Sequence, residues 1–139
     1  MQEALNMAIN SGADVPVGAV IVKNNEIIAS GFNEKEKLND VVAHAEIVAI
    51  KKASEKLGNW RLDGCELYVT LEPCPMCAWA ILQSRFKSVY FGSYDTQYGA
   101  FGSVLDLRKQ AASSLKVYGG IMEKECDNVI NDFWENKRR

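Results

Sequence analysis

Apolar positions along the chain change their spacing several times, and each change marks an element. Near the start, Leu5, Ala8 and Ile9 fall at helical spacing and Gly12 ends the run. Residues 15–22 are almost all apolar and rich in β-branched side chains, the composition of a strand covered on both faces. Asn24 and Asn25 supply a turn, so residues 27–32 read as the returning arm of a hairpin. The polar stretch 33–40 reads as loop. From about His44 to Leu57, Ile47, Ile50 and Leu57 share one helix face, with Gly58 as the stop. Residues 67–71 predict a third strand, 75–84 a helix and 88–92 a fourth strand. A glycine-rich loop covers 94–103, and 115–118 adds a fifth strand. The repeat Met122, Cys126, Val129, Ile130, Phe133 predicts a C-terminal helix with one buried stripe.

Strands alternating with helices predict an α/β fold, a three-layer α/β/α sandwich. Its central mixed five-stranded sheet carries helices on both faces. At 139 residues the chain is expected to form one domain, without repeat or linker.

Composition narrows the function. A hydrophobic share of 47% beside 24% charged residues excludes a disordered chain. A net charge of −2 argues against a sequence-blind nucleic-acid binder but leaves room for a local basic patch. Lys137, Arg138 and Arg139 are either such a patch or a solvated end. No apolar run is long enough for a membrane span, and the first residues lack a signal peptide's basic start. The expected location is therefore cytoplasmic, where thiols stay reduced. Cys65 and Cys126 then read as small core residues.

Cys74 and Cys77 differ, because they form a Cys-x-x-Cys pair after a proline. Pro75 drives Cys74 out of the helical region and suits the first helical position itself. Cys74 then caps a helix and Cys77 lies one turn on, so both sulfurs reach one point. The free N–H groups and the positive helix end favour thiolates there. His44, the single histidine, is the candidate third ligand; three protein ligands leave a position for water, as in catalytic zinc sites. Two thiolates already cancel the charge of Zn2+, so the water needs a base, and Glu46 stands two residues from His44.

Alone, the histidine is an ordinary surface or core residue, and the cysteine pair a redox couple or half a structural zinc site. Together they spell H-x-E…P-C-x-x-C, the signature of zinc deaminases acting on nucleobases, with Glu46 moving protons.

Beyond the signature, the chain resembles the bacterial tRNA-specific adenosine deaminases. The matching residues are 14–20, Gly31-Phe32-Asn33, 43–47 and 67–77. The match continues at Ser84-Arg85, 89–92, Asp95, Gly99-Ala100, Gly102-Ser103 and Asp132-Phe133-Trp134. The resemblance implies a cytidine deaminase-like fold and one zinc per chain on His44, Cys74 and Cys77. It implies conversion of the wobble adenosine in a tRNA anticodon stem-loop to inosine, and a homodimer whose subunits border each other's sites. Asn33 is expected to hydrogen-bond the flipped base, and the N–H groups near Ala45 and Cys74 to hold the attacking oxygen. Asp95 is expected near the target's sugar. Read without the resemblance, Asn33 is a turn residue and Asp95 a loop carboxylate.

This chain departs from the family at Gln97, where a lysine is usual, at the bulkier Tyr98 and Phe101, and at Glu135-Asn136 before the basic end. These positions are expected to meet RNA. Trp134 falls beside the predicted stripe, free to stack on a base or meet a second subunit. A deaminase of free cytosine, cytidine or guanine would use the same site, and a non-catalytic zinc scaffold would keep the ligands without the turnover.

Overall fold

A computed structural model describes all of residues 1–139. Helix α1 (Gln2–Ala8) runs into a single 3-10 turn, Ile9–Ser11, and the chain turns at Gly12 with φ 61°. Strands β1 (Gly18–Lys23) and β2 (Glu26–Phe32) form the predicted hairpin. Asn24 and Asn25 take φ values of 52° and 64°, the left-handed pair that a two-residue turn matching the strand twist requires.

Next come α2 (Lys35–Leu38), α3 (Ala45–Leu57), β3 (Cys65–Leu71), α4 (Pro75–Gln83) and β4 (Ser88–Ser93). They are followed by α5 (Arg108–Ala111), β5 (Lys116–Tyr118) and α6 (Glu123–Lys137). The sheet order is β2-β1-β3-β4-β5. β1 is antiparallel to both neighbours, whereas β3, β4 and β5 are parallel, so the predicted mixed five-stranded sheet is present.

Register sorts the side chains. Ala19 pairs with Gly31 and Val69, and Val69 with Phe91, so these share one face. That face packs on Ala45, Ala49 and Ala53 of α3 and on Ala78, Ile81 and Leu82 of α4 in the main core. The opposite face meets α1 at Gly18 and α6 at Gly92. The expected three layers result.

Two expectations need correction. The segment 33–40, read as loop, contains the one-turn α2, whose first turn is held by the Asp14 carboxylate accepting the Glu36 N–H at 3.1 Å. Strand β1 starts at Gly18 rather than residue 15, because the Val15 and Val17 carbonyls accept hydrogen bonds from Asn33 instead of a ladder partner. In addition, the stripe on α6 buries fully only at Cys126, while Ile130 and Phe133 stay part-exposed.

Gly31 sets how closely α3 approaches the sheet. A Cβ there would lie 2.6 Å from the Ala45 carbonyl oxygen and 2.9 Å from the Ala49 nitrogen. Both are backbone atoms, so no rotamer change relieves the clash. Gly31→Ala should destabilise the chain by about 1–3 kcal/mol in urea unfolding, the usual cost of overpacking. Because α3 begins beside His44, the same variant should bind zinc more weakly. Unchanged stability together with unchanged zinc affinity would show that α3 is not seated at Gly31.

Candidate metal centre and substrate pocket

His44 stands at the N-cap of α3 with extended backbone, φ −75° and ψ 152°. Cys74 holds the same place before α4, at φ −73° and ψ 172°, with Pro75 opening the helix. Cys77 lies one turn into α4 and is buried. The His44 Nδ1 atom is 3.7 Å from Cys74 Sγ and 3.5 Å from Cys77 Sγ. All three donor atoms lie within 4.8 Å of one another.

Zinc bonds of about 2.3 Å to sulfur and 2.0–2.1 Å to nitrogen, at tetrahedral angles, separate the two donor types by about 3.6 Å. The triangle has that size, and two thiolates with an imidazole are zinc chemistry. Two helix N-termini meet there, each turning the positive end of its dipole toward the sulfurs.

In the metal-free chain the two sulfurs share one proton. The hydrogen bond from Cys77 brings the Cys74 thiol down to about 4, with His44 assisting. Cys77 is pushed far up, first by that same bond and then by burial. His44 is raised chiefly by its bond with Cys74, against the effect of burial. Glu46, in the first turn of α3, is 4% exposed. Burial pushes its carboxyl up to about 7, and the hydrogen bond from its own backbone N–H offsets this in part.

A cavity of about 650 Å3 opens on these groups. Asn33, Asp95, Tyr98 and Trp134 are among the residues that line it with His44, Glu46 and Cys74. Asn33 Nδ2 donates to the Val15 carbonyl at 2.8 Å, and Asn33 Oδ1 accepts the Ala45 N–H at 2.9 Å. These partners fix which way the amide points and leave it one N–H for a ligand. They also correct the expected role of Ala45, whose N–H is already taken by Asn33. The Cys74 N–H, by contrast, donates to no protein acceptor.

Asp95 Oδ1 accepts the N–H groups of Gln97 and Tyr98 at 2.9 and 3.0 Å, so one oxygen caps its own turn. Gln97 and Tyr98 line the cavity, as expected of residues that meet a substrate. Phe101 does not: it is 4% exposed and belongs to the core, which corrects its placement at an RNA-facing surface. At the chain end Glu135 pairs with Arg139 at 3.1 Å, while Lys137 reaches the cavity and lies over the Phe133 ring at 5.5 Å. Only part of the basic end is therefore free of a carboxylate.

The comparisons agree with this geometry. Residues 1–93 match the family model described as the cytidine and deoxycytidylate deaminase zinc-binding region. The tRNA-specific adenosine deaminase of Bacillus subtilis is 41% identical over 143 residues, covering 100% of this chain and 89% of the relative. The chain belongs to the tRNA-specific adenosine deaminase family. The Agrobacterium fabrum member is 42% identical, covering 99% of this chain and 93% of its own length.

A solved structure from work on A-to-I editing by tRNA:A34 deaminases matches this deaminase with a TM-score of 0.86 and 41% identity, covering 93% of this chain and 96% of that one. Guanine deaminase from Bacillus subtilis is 46% identical with a TM-score of 0.65, over 68% of this chain and 62% of its own. This deaminase has a zinc-binding domain with the cytidine deaminase-like fold. No helix is long and apolar enough to cross a membrane.

One residue escaped the sequence reading. Glu72 is buried and lines the cavity, yet the signature draws attention only to the residues after it. A charged residue between the end of β3 and the Pro-Cys helix start was the available signal.

The raised Glu46 carboxyl gives a signed prediction for the metal-free protein. Its folded value, about 7, lies above the ordinary 4.5, so the charged form is disfavoured by folding. The cost is absent below about pH 4.5, grows as pH rises, and is complete above about pH 7. Glu46→Gln removes it. Urea unfolding should show the variant gaining on the parent between pH 5 and 7, on the order of 2 kcal/mol, and constant beyond. A difference that does not vary with pH would mean the carboxyl is not strained by burial.

Proposed function

We propose that this deaminase hydrolyses the wobble adenosine of a tRNA anticodon to inosine, with His44, Cys74 and Cys77 holding one zinc ion per chain. The observation that carries the reading is a buried acid, Glu46, beside a three-donor triangle that faces a cavity with room for a purine and its ribose. The full-length relatives are tRNA-specific adenosine deaminases, which supports the substrate class.

Held by His44, Cys74 and Cys77, zinc would supply a Lewis acid that acidifies water. Glu46 would accept a proton from the attacking water and deliver it to N1 of the purine. It then assists the departure of ammonia from C6, so that water and adenosine give inosine and ammonia. A carboxyl near neutrality suits both directions of transfer. The free Cys74 N–H faces developing negative charge on oxygen, and the spare Asn33 N–H orients the base. The second Asp95 oxygen serves the sugar.

A free purine in the same site is the rival reading, and the full-length tRNA-specific relatives do not favour it. Metal-loaded protein incubated with an anticodon stem-loop, and separately with free guanine, cytosine, cytidine and adenosine, discriminates them. Inosine in the stem-loop with no ammonia from the free compounds is expected. Glu46→Gln should retain zinc and lose at least about a thousandfold in turnover. Turnover of a free base alone would overturn the tRNA reading, and an active Glu46→Gln would overturn the proton shuttle.

The single deaminase domain is proposed to act as a homodimer in the cytoplasm. Val41, Val42, Met76 and Trp79 are all exposed, on the two segments that carry the metal ligands. Exposed apolar side chains on these segments suit burial by a second copy. Light scattering coupled to size exclusion should return twice the 15.5 kDa chain mass. A monomer at micromolar concentration would end the proposal.

A further inference from the structure

Glu72 takes no part in the chemistry above, yet it is 1% exposed and two residues from Cys74. Its Oε1 accepts the Asp95 N–H at 3.1 Å and the Ser103 hydroxyl. Its Oε2 accepts the N–H groups of Phe101 and Ser103, both at 3.1 Å. Every one of these donors belongs to the loop between β4 and α5. Buried carboxylates tolerate burial only when their acceptor positions are filled, and here four donors fill them.

The neighbouring backbone extends the grip. The Glu72 N–H donates to the Ser93 carbonyl at 2.8 Å, at the end of β4, and the Pro73 carbonyl accepts the Ala100 N–H at 2.9 Å. Residues 72 and 73 thus hold the loop, while residue 74 turns to the metal position. The loop also sits directly on the carboxyl. A Cβ added at Gly99 would lie 2.5 Å from Glu72 Cδ. Beyond Asp95 the order propagates, since Asp95 Oδ1 caps the Gln97 and Tyr98 N–H groups.

We infer that Glu72 is a positioning residue for substrate: it holds the pocket wall at 94–98 in fixed register with the metal ligands. That wall follows β4, whereas Cys74 and Cys77 follow β3 and His44 follows β2, so something must set their spacing. A nucleotide that touches both has its reacting carbon placed only as well as the two are registered, and misplacement by about 1 Å costs on the order of a hundredfold. The inference depends on the proposed tRNA reading only for the identity of the substrate.

Glu72→Gln is the sharpest variant. The new amide NH2 faces N–H donors, so at least one of the bonds is replaced by a repulsion. Glu72→Asp keeps the charge but shortens the reach. Ser103→Ala removes one donor and leaves the backbone bonds, which gives a milder probe if Glu72→Gln fails to fold. Three readouts are taken on zinc-loaded protein. They are zinc per chain, hydrogen exchange of the Asp95, Phe101 and Ser103 amides, and KM against kcat on the anticodon stem-loop.

With Glu72→Gln, zinc should be retained and the three amides should exchange at least about tenfold faster. The value of kcat/KM should fall about tenfold to a hundredfold, with kcat lowered as well as KM raised. Glu72→Asp should not rescue it, and Ser103→Ala should move each readout the same way by less. Combining Glu72→Gln with Asp95→Ala should cost little more than the worse single variant, because both act on one wall.

Loss of zinc with unchanged loop exchange would overturn the inference and make Glu72 a support of the metal ligands. Unchanged exchange and unchanged KM would overturn it outright. Zinc content and exchange need no substrate, so failure of the parent protein on the stem-loop would count against the tRNA reading alone. KM would then be read on whichever purine the parent turns over.

Discussion

Three donor atoms carried by two separate helix starts have to arrive within bonding distance of one point, and much of the architecture serves that requirement. His44 and Cys74 both occupy N-cap positions, where extended backbone lets a side chain curl back across the helix end. The strands preceding them lie one strand apart, because β1 separates β2 from β3. Helices α3 and α4 therefore descend side by side on one face of the sheet, packed through small residues such as Ala45, Ala49 and Ala78. A bulkier set would hold the helices apart and open the triangle.

That arrangement concentrates acids. Two thiols, Glu46, Glu72 and Asp95 crowd one end of the sheet, in a chain whose net charge is only −2. Few side-chain cations balance them: Lys35 and Lys137 reach the cavity, but Arg108 is paired with Asp106 elsewhere, at 2.7 Å. The balance comes instead from backbone dipoles, namely two helix N-termini at the sulfurs and the loop N–H groups at Glu72 and Asp95. Fixed dipoles do not reorient when a substrate arrives, which is what a site that must stabilise changing charge requires.

How far this could be read from the sequence follows from the range of each rule. The hairpin turn at Asn24-Asn25, the stop at Gly58 and the Cys74-Pro75 helix start are local chemistry, and the structure has each of them. The metal triangle was legible because a spacing of three residues at a helix start leaves little choice of geometry. Long-range hydrogen bonds were not legible. Nothing local says that the Ala45 N–H is taken by Asn33 twelve residues away, or that Phe101 turns inward with its N–H on Glu72. The half-exposed stripe of α6 has the same origin: Ile130 packs on the core and also lines the cavity, while Phe133 lines the cavity, a division that periodicity does not register.

Glu46 and Glu72 show how surroundings divide labour between identical side chains. Both are buried and both border the same cavity. Glu72 has its acceptor positions filled by four donors from one loop, so any change there disturbs the loop. Glu46 has its own backbone N–H, the His44 charge and a Cys77 hydrogen bond to offset burial, yet burial still holds its carboxyl up at about 7. Exchanging these environments would give a rigid carboxylate beside the metal and a mobile proton in the wall, which is a poor catalyst and a loose pocket. A carboxyl held in a buried place is costly to the fold, and under the proposed mechanism that cost falls at the position where a proton moves.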